Sequence, residues 1–203
     1  MAIEKFLAME NGEPGYTKLG TVTHVPFPAG GNGVQITGGI TEPWRQANQV
    51  NVPFDNAGSV LVEFTSTTYW AVTAIGTNGI AQPSVEFIAG GIKTQRRGNV
   101  DSSSADAEVS ARSIALTSHR WGVRFVQSDT TGIIEVWCDG VLLVNRTMRT
   151  TAGTSLSLVI NSIRLAANGA GNTANYDSVV ISDALQGDCH VDYLVPDGNG
   201  DTS

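Results

Sequence analysis

The sequence predicts an all-β protein, a sandwich or barrel of antiparallel strands, on three observations. Gly accounts for 23 of the 203 residues and only 15% are charged, a composition typical of short strands joined by tight turns. Apolar and polar residues alternate in many short segments, spaced roughly 8–12 residues apart. Residues 105–112 are long enough for two helical turns but lack the apolar stripe of an amphipathic helix.

The chain is predicted to divide into an N-terminal arm or edge segment (1–30) and a single β-sandwich domain (31–203). Prolines at positions 14, 26 and 28 interrupt the arm, and one strand is expected at 19–25. The arm is too apolar to remain in water and too interrupted to form its own core. We expect it to pack on a neighbouring subunit, and the alternative is an edge strand of its own domain. The residues expected at this assembly interface are Phe6, Leu7, Tyr16 and Trp44.

Two central segments have the clearest period of two, which is typical of half-buried strands. In residues 58–66 the apolar face holds Val60, Val62 and Phe64, and in residues 118–127 it holds Trp121, Val123 and Phe125. We expect all six side chains to be buried between two sheets. Further strands are expected at 33–37, 69–76, 84–89, 91–95, 156–165, 176–182 and 189–195, with a polar loop at 99–107.

The pair Asp139-Gly140 separates two apolar segments, 132–138 and 141–147. Asp-Gly between apolar strands predicts a two-residue hairpin, because a type I′ turn needs positive φ at both positions.

Charge and hydropathy exclude several classes of protein. The net charge is −7 and the pI is about 4.8, which is unsuitable for nucleic acid, since binding there requires basic patches. No apolar run reaches the roughly 18 residues of a membrane span, and the N-terminus shows no secretory signal pattern. Cys138 and Cys189 are too few for a disulfide framework; we interpret them as small buried hydrophobes, with a single disulfide as the alternative.

Two stretches give the sequence a family resemblance. The hairpin around Asp139-Gly140 resembles the central hairpin of concanavalin A-like (laminin G-like) jelly rolls. The C-terminal stretch runs Tyr176-Asp177-Ser178-Val179, then Gly187-Asp188, then Pro196-Asp197-Gly198-Asn199-Gly200. It resembles the closing strands of jelly-roll proteins from tailed-bacteriophage virions, with Ser178 in place of the second Asp of a Tyr-Asp-Asp-Val motif. The resemblance covers roughly residues 30 to 200 and implies an antiparallel β-sandwich of concanavalin A-like jelly-roll type.

Candidate catalytic groups are scattered. Glycosidases of this fold need two carboxylates beside the scissile bond, but Glu63 and Glu86 are isolated and Asp139 is a turn residue. No catalytic residue and no cofactor are therefore expected. Lys93, Arg96 and Arg97 form a basic cluster, interpreted as a solvated loop or a contact with an acidic partner. Weak calcium candidates are Asp197, Asn199 and Asp201, which alternate as in calcium loops but are preferably interpreted as turn residues.

Together these observations lead us to expect a non-enzymatic structural protein of a tailed-phage virion, a capsid decoration or tail component. Its expected partners are other virion proteins and further copies of itself, without nucleic acid or membrane insertion, and its expected location is the virion, assembled in the host cytoplasm. The alternative is a lectin-like carbohydrate-binding module for host surface glycans. A glycosidase is the third interpretation.

Overall fold

A computed structural model describes residues 3–9, 14–27, 32–39, 48–67, 69–97, 104–151 and 158–182. In this part of the chain every regular element is a strand, which confirms the predicted all-β class. The fifteen strands are, in order, β1 (Ile3–Leu7), β2 (Thr17–Leu19), β3 (Val22–Pro26), β4 (Asn32–Thr37), β5 (Gln49–Ala57), β6 (Ser59–Ser66), β7 (Trp70–Gly76), β8 (Ala81–Ile88), β9 (Gly91–Arg97), β10 (Ser104–Ala111), β11 (His119–Val126), β12 (Gly132–Cys138), β13 (Val141–Met148), β14 (Ile160–Ala167) and β15 (Thr173–Ser182).

The strands form two antiparallel sheets. The first sheet has the order β13-β12-β11-β6-β15-β4-β3, with β1 added beside β15, and the second has the order β10-β9-β8-β7-β14-β5-β2. Each sheet combines strands that are far apart in sequence, since β6 pairs with β11 and β15, and β14 inserts between β5 and β7. This arrangement confirms the predicted antiparallel sandwich.

The core lies between the sheets and is built by alternate residues of both. All six side chains predicted to be central are buried: Val60, Val62, Phe64, Trp121, Val123 and Phe125. Trp121 packs edge-on against Trp70 of the opposite sheet, with ring centroids 4.8 Å apart. Strand parity alone therefore located the centre of the core correctly.

The predicted Asp139-Gly140 hairpin is confirmed. Cys138 pairs with Val141, so the loop has two residues, and φ is +49° at Asp139 and +78° at Gly140. Both values lie in the left-handed region that a type I′ turn requires.

Strand β15 contains a bulge at Ser178, whose φ is +49°. The register against β6 shifts between Asp177 and Val180, so one extra residue enters β15 there. The peptide N–H of Ser178 donates to Asp177 Oδ1 at 2.7 Å, and its carbonyl accepts from Arg120 Nη1 at 2.8 Å. The extra residue is thus held by side chains on both sides of it.

The N-terminal segment is paired with the sandwich of its own chain. β1 lies antiparallel to β15, β2 to β5 and β3 to β4, and Lys5 Nζ donates to the carbonyl of Pro53 at 2.6 Å. Leu7 is buried in the core of this chain, so the expectation that it is buried against a neighbouring subunit is wrong. The alternative, an edge strand of the same domain, describes β1. The division at residue 30 stays a prediction.

Several element boundaries also differ from the expectation. The single strand expected at 19–25 is two strands, because Gly20 adopts φ +69° and redirects the chain. The second half of the polar loop expected at 99–107 belongs to β10, which pairs with β9. The strand expected at 189–195 lies outside the described residues. No helix among the described residues is long and apolar enough to cross a membrane.

Candidate functional site

The outer face of the second sheet carries two rows of polar and small side chains, which we call the polar face. Their alternate neighbours on the same strands, such as Val72, Val85 and Ile163, form the core. Cross-strand register aligns the first row as Gln95, Ser84, Thr73, Arg164 and Asn51. The second row is Lys93, Glu86, Ala71 and Ala166, and Gln49 continues it beside Val50.

Side-chain size varies along the polar face. Its middle is formed by four small residues, namely Ser84, Thr73, Ala71 and Ala166, all of them buried. Longer side chains lie toward both ends of the rows, with Gln95, Lys93 and Glu86 at one end and Arg164, Asn51 and Gln49 at the other; of these, Gln95, Glu86 and Gln49 are buried. Because neighbouring strands are about 4.8 Å apart, the two rows extend across about 19 Å from β9 to β5.

Three polar atoms on this face are buried and have no hydrogen-bond partner. They are the side-chain carbonyl oxygens of Gln49 and Gln95 and the hydroxyl of Ser84, and the last two residues are fully buried. An unpaired buried polar group costs about 1–3 kcal/mol. These three groups therefore cost stability where they lie, as do Ser59 Oγ, Glu63 Oε2 and Arg124 Nε on strands of the first sheet.

Two cations and one carboxylate set the charge of the polar face. The Glu86 carboxylate accepts from Gln95 Nε2 and lies 3.8 Å from Lys93 Nζ. Arg164 Nε donates to Asn51 Oδ1 at 3.4 Å. Burial lowers the pKa of Arg164, but a guanidinium remains charged in proteins. The face thus has a net positive charge in a chain whose net charge is −7.

Tyr176 of the first sheet contacts, from the core side, the backbone of the two small residues Ala71 and Ala166. Its hydroxyl lies 2.9 Å from the carbonyl oxygen of Ala71 and 2.6 Å from that of Ala166, and it accepts from the Ala71 N–H at 3.0 Å. Complete burial raises the pKa of Tyr176 far above its usual range, so the hydroxyl stays protonated. The two central strands are therefore tied to the core at Ala71 and Ala166.

The residues that the sequence pointed to are mostly elsewhere. Asp197, Asn199, Asp201 and Trp44 lie outside the described residues, and so does the side chain of Phe6. Tyr16 is half-buried and packs against the core of its own chain, with its hydroxyl 3.4 Å from His24 Nε2.

Of the basic cluster, Lys93 reaches the polar face, while Arg96 lies on the opposite side of β9. Arg96 and Arg97 are strand residues of β9, so the loop expected at these two positions is wrong, whereas Lys93 lies in the strand expected at 91–95.

Sequence reasoning missed Gln49, Ser84, Gln95 and Arg164. The available signal was the polar residue at alternate positions of strands whose other positions are apolar. That pattern normally means a solvated face, and it does not reveal that β14 inserts between β5 and β7. Only that register brings Arg164 beside Thr73.

The sequence matches no protein-family profile and no curated protein sequence. Solved structures share the fold. An endo-β-1,4-glucuronan lyase from the fungus Trichoderma reesei has a TM-score of 0.59 at 12% identity, covering 90% of this chain and 96% of that one. A carbohydrate esterase of Shiga toxin-encoding bacteriophage phi24B gives 0.56 at 12%, covering 89% and 97%. A Bacillus licheniformis β-glucanase gives 0.55 at 13%, covering 90% and 99%.

These similarities confirm the jelly-roll fold and correct two expectations. The three proteins named above are carbohydrate-active enzymes, a lyase, an esterase and a glucanase. They contradict the expected non-enzymatic structural role. The phage protein among them is named as a carbohydrate esterase, and the expected phage-virion assignment has no support beyond it. At 12–13% identity the likeness shows the fold and leaves activity to be argued from the residues.

Proposed function

We propose that this protein binds a polysaccharide across the polar face of the second sheet. The observation behind the proposal is the alignment of amide, hydroxyl and cationic side chains in two rows that cross five strands, with Lys93, Arg164 and Asn51 reaching the surface. Sugars present many hydroxyl groups, and amide and hydroxyl side chains can both donate to and accept from them. An extent of about 19 Å suits several consecutive sugar units rather than one monosaccharide.

The charge of the face favours a polysaccharide that contains acidic sugars. Arg164 presents five N–H donors in a planar arrangement that matches a carboxylate, and Lys93 adds a second cation at the far flank. Glu86 is engaged by Gln95 and Lys93, which reduces its repulsion of an anionic ligand. The similar structures include an enzyme named for glucuronan, a polymer of acidic sugars.

Cleavage of the bound polymer is a second candidate function. Hydrolysis needs two carboxylates on either side of the scissile bond, and the two rows contain only Glu86. Elimination instead begins with removal of a proton next to the sugar carboxylate, and it is favoured when a fixed cation neutralises that carboxylate. Arg164 would supply that cation, Glu86 would accept the proton and water would protonate the leaving oxygen, so elimination needs one carboxylate of this face where hydrolysis needs two.

The test is binding of glucuronan, alginate and a neutral β-glucan to the full-length protein by isothermal calorimetry, with Arg164→Met as the variant. Arg124→Met is the matched control, because Arg124 is a partly exposed arginine on the outer face of the first sheet. Loss of one charge-assisted contact is worth about 1.5–3 kcal/mol, so Arg164→Met should weaken binding of the acidic polymers at least tenfold. Far-ultraviolet circular dichroism confirms that both variants are folded.

Equal weakening by Arg124→Met, or no binding of any polymer by the wild-type protein, would contradict the proposal. The same samples separate binding from cleavage. Elimination produces an unsaturated sugar that absorbs ultraviolet light, and hydrolysis produces new reducing ends without that absorbance. A protein that binds and forms neither product acts as a binding module.

A further inference from the structure

A second cluster of chemically active side chains lies at the end of the first sheet, away from the polar face. His119 begins β11, and Cys138 and Asp139 end β12 and start the hairpin turn. One donor atom from each residue lies within 4.8 Å of the other two. His119 Nδ1 is 2.7 Å from Asp139 Oδ2, and Cys138 Sγ is 3.9 Å from the same oxygen.

The turn explains why these three side chains meet. Along a strand, consecutive side chains point to opposite faces, so Cys138 and Asp139 would normally diverge. Asp139 has φ +49°, which takes it out of the strand alternation and directs its carboxylate back toward His119. Trp121 packs edge-on against the His119 ring, 6.1 Å between centroids, and so limits its orientation.

We propose that His119, Cys138 and Asp139 form a binding site for a borderline divalent cation, with zinc as the best match. Thiolate, imidazole and carboxylate are the three protein ligand types of zinc. Their bonds to zinc are about 2.0–2.3 Å long, so donor atoms on one ion lie within about 4 Å of each other. The Asp139 side chain is 55% exposed, and water can supply the fourth ligand.

A second observation concerns the other ring nitrogen of His119, Nε2, and its hydrogen-bond partners. His119 Nε2 lies 3.1 Å from the carbonyl oxygen of Ala115 and 3.2 Å from Thr117 Oγ1. Metal-binding histidines usually donate their other ring N–H to a carbonyl or carboxylate, which fixes the ring and leaves the first nitrogen free for the metal. In the metal-free protein Nδ1–H donates to Asp139 Oδ2 at 2.7 Å, so a cation bound between these two atoms replaces that proton, while Nε2–H stays directed at Ala115.

Binding would exchange a proton for the metal at the cysteine. Burial and the adjacent Asp139 carboxylate raise the pKa of Cys138 to about 12, so the metal-free side chain is a thiol. When the cation forms its bond to Sγ, the thiol proton is released to solvent and the thiolate charge is neutralised by the ion. No oxidation or reduction is involved.

The experiment titrates the full-length protein with Co²⁺, and then displaces Co²⁺ with Zn²⁺. Co²⁺ bound to a thiolate gives a ligand-to-metal charge-transfer band in the near ultraviolet. The variants are Cys138→Ser, His119→Gln and Asp139→Asn, and each has a matched control elsewhere in the chain: Cys189→Ser, His24→Gln and Asp129→Asn. Asn is chosen at position 139 because it tolerates positive φ.

We expect the band in the wild-type protein and in all three controls. Cys138→Ser should abolish the band, and His119→Gln and Asp139→Asn should weaken Co²⁺ binding at least about tenfold. Absence of the band in the wild-type protein overturns the proposal. So does a band that survives Cys138→Ser and disappears in Cys189→Ser, because the ligand is then a different thiol.

Circular dichroism identifies a variant that fails to fold. If Cys138→Ser is unfolded, His119→Gln and Asp139→Asn decide the question, because both keep the thiol. Unchanged Co²⁺ affinity in these two folded variants overturns the proposal. The polar face is on the other sheet, so this result is independent of polysaccharide binding.

Discussion

The outer faces of the two sheets differ in how their polar and charged side chains are paired. On the first sheet, charged side chains find partners across strands: Arg124 lies opposite Glu135, with Nη1 3.3 Å from Oε2, and Arg120 donates to the Ser178 carbonyl. On the second sheet, the polar face leaves the carbonyl oxygens of Gln49 and Gln95 and the Ser84 hydroxyl without partners. The first sheet also has buried atoms without a partner, namely Ser59 Oγ, Glu63 Oε2 and Arg124 Nε. The faces therefore differ in their charge pairing and in the aligned rows of neutral polar side chains that only the second sheet carries among the described residues.

The largest expected effect on stability comes from a substitution in the core between the two sheets. Phe125 is fully buried between the sheets, and Phe125→Ala should reduce the free energy of unfolding by about 3–5 kcal/mol through lost contacts and a cavity. Urea denaturation followed by tryptophan fluorescence measures the change. A decrease in the free energy of unfolding below about 1 kcal/mol would show that Phe125 is not packed between the two sheets.

Glu63 is the exception on the first sheet, and it offers a pH test. It is buried, and burial raises its pKa despite the opposing effect of Arg120. A raised folded-state pKa means that the contribution of Glu63 is fully present below its unfolded pKa and is lost as pH rises through the folded value. Glu63→Gln removes this dependence. The stability of the variant relative to wild type should therefore increase with pH, as measured by denaturation at several pH values.

A constant stability difference between Glu63→Gln and wild type across that range would contradict the assignment. Glu135→Gln is the control, since Glu135 lies on the same face in an ion pair with Arg124.

Ser84 tests the claim that the polar face is not optimised for stability. Its hydroxyl is buried without a partner, so Ser84→Ala should raise the free energy of unfolding by about 1 kcal/mol. Thr150→Val is the contrasting variant, because the Thr150 hydroxyl donates to Val126 O at 2.9 Å and accepts from Ser128 N at 2.8 Å. Thr150→Val should lower stability by about 1–2 kcal/mol. The comparison fails if both changes have the same sign.

The smallest expected effect concerns the Arg124–Glu135 pair. Both side chains are partly exposed, at 35% and 14%, and such pairs are worth about 0.2–1 kcal/mol. A double-mutant cycle with Arg124→Met and Glu135→Gln should give a coupling energy in that range, and added salt should reduce it. Zero coupling would show that the Arg124–Glu135 pair does not stabilise the outer face of the first sheet.

Local pattern predicted much of the fold but little of the site. The alternation in 58–66 and 118–127 located the central core, and Asp139-Gly140 fixed the hairpin, because both signals depend on residues adjacent in sequence. The polar face depends on pairing between distant strands, such as β14 with β5 and β7. Polar residues at alternate positions are compatible with any solvated face, so Ser84 and Gln95 carried no distinctive signal before the register was known.

The N-terminal segment shows the same limit. Its prolines and scattered apolar residues predicted a segment without a core of its own, but they did not predict where that segment packs. Whether Leu7 is buried in its own chain or in a neighbour depends on a free edge beside β15, and composition does not report the existence of that edge. The structure places β1 there, and the assembly role of Phe6, Tyr16 and Trp44 stays a prediction.

The bulge at Ser178 shifts the alternation of buried and outward side chains in β15 by one residue. Tyr176 and Val179 both belong to the core, although residues three apart in a regular strand point to opposite faces. The extra residue lets the side chains before and after the bulge point into the same core. Deleting Ser178 would turn Val179 and Ile181 outward. It would also disturb the part of β15 with which β1 pairs. Asn and Asp tolerate positive φ better than Ser, so the backbone at this position favours them. In evolutionary terms, position 178 should accept Asp, Asn or Gly but not loss of the residue.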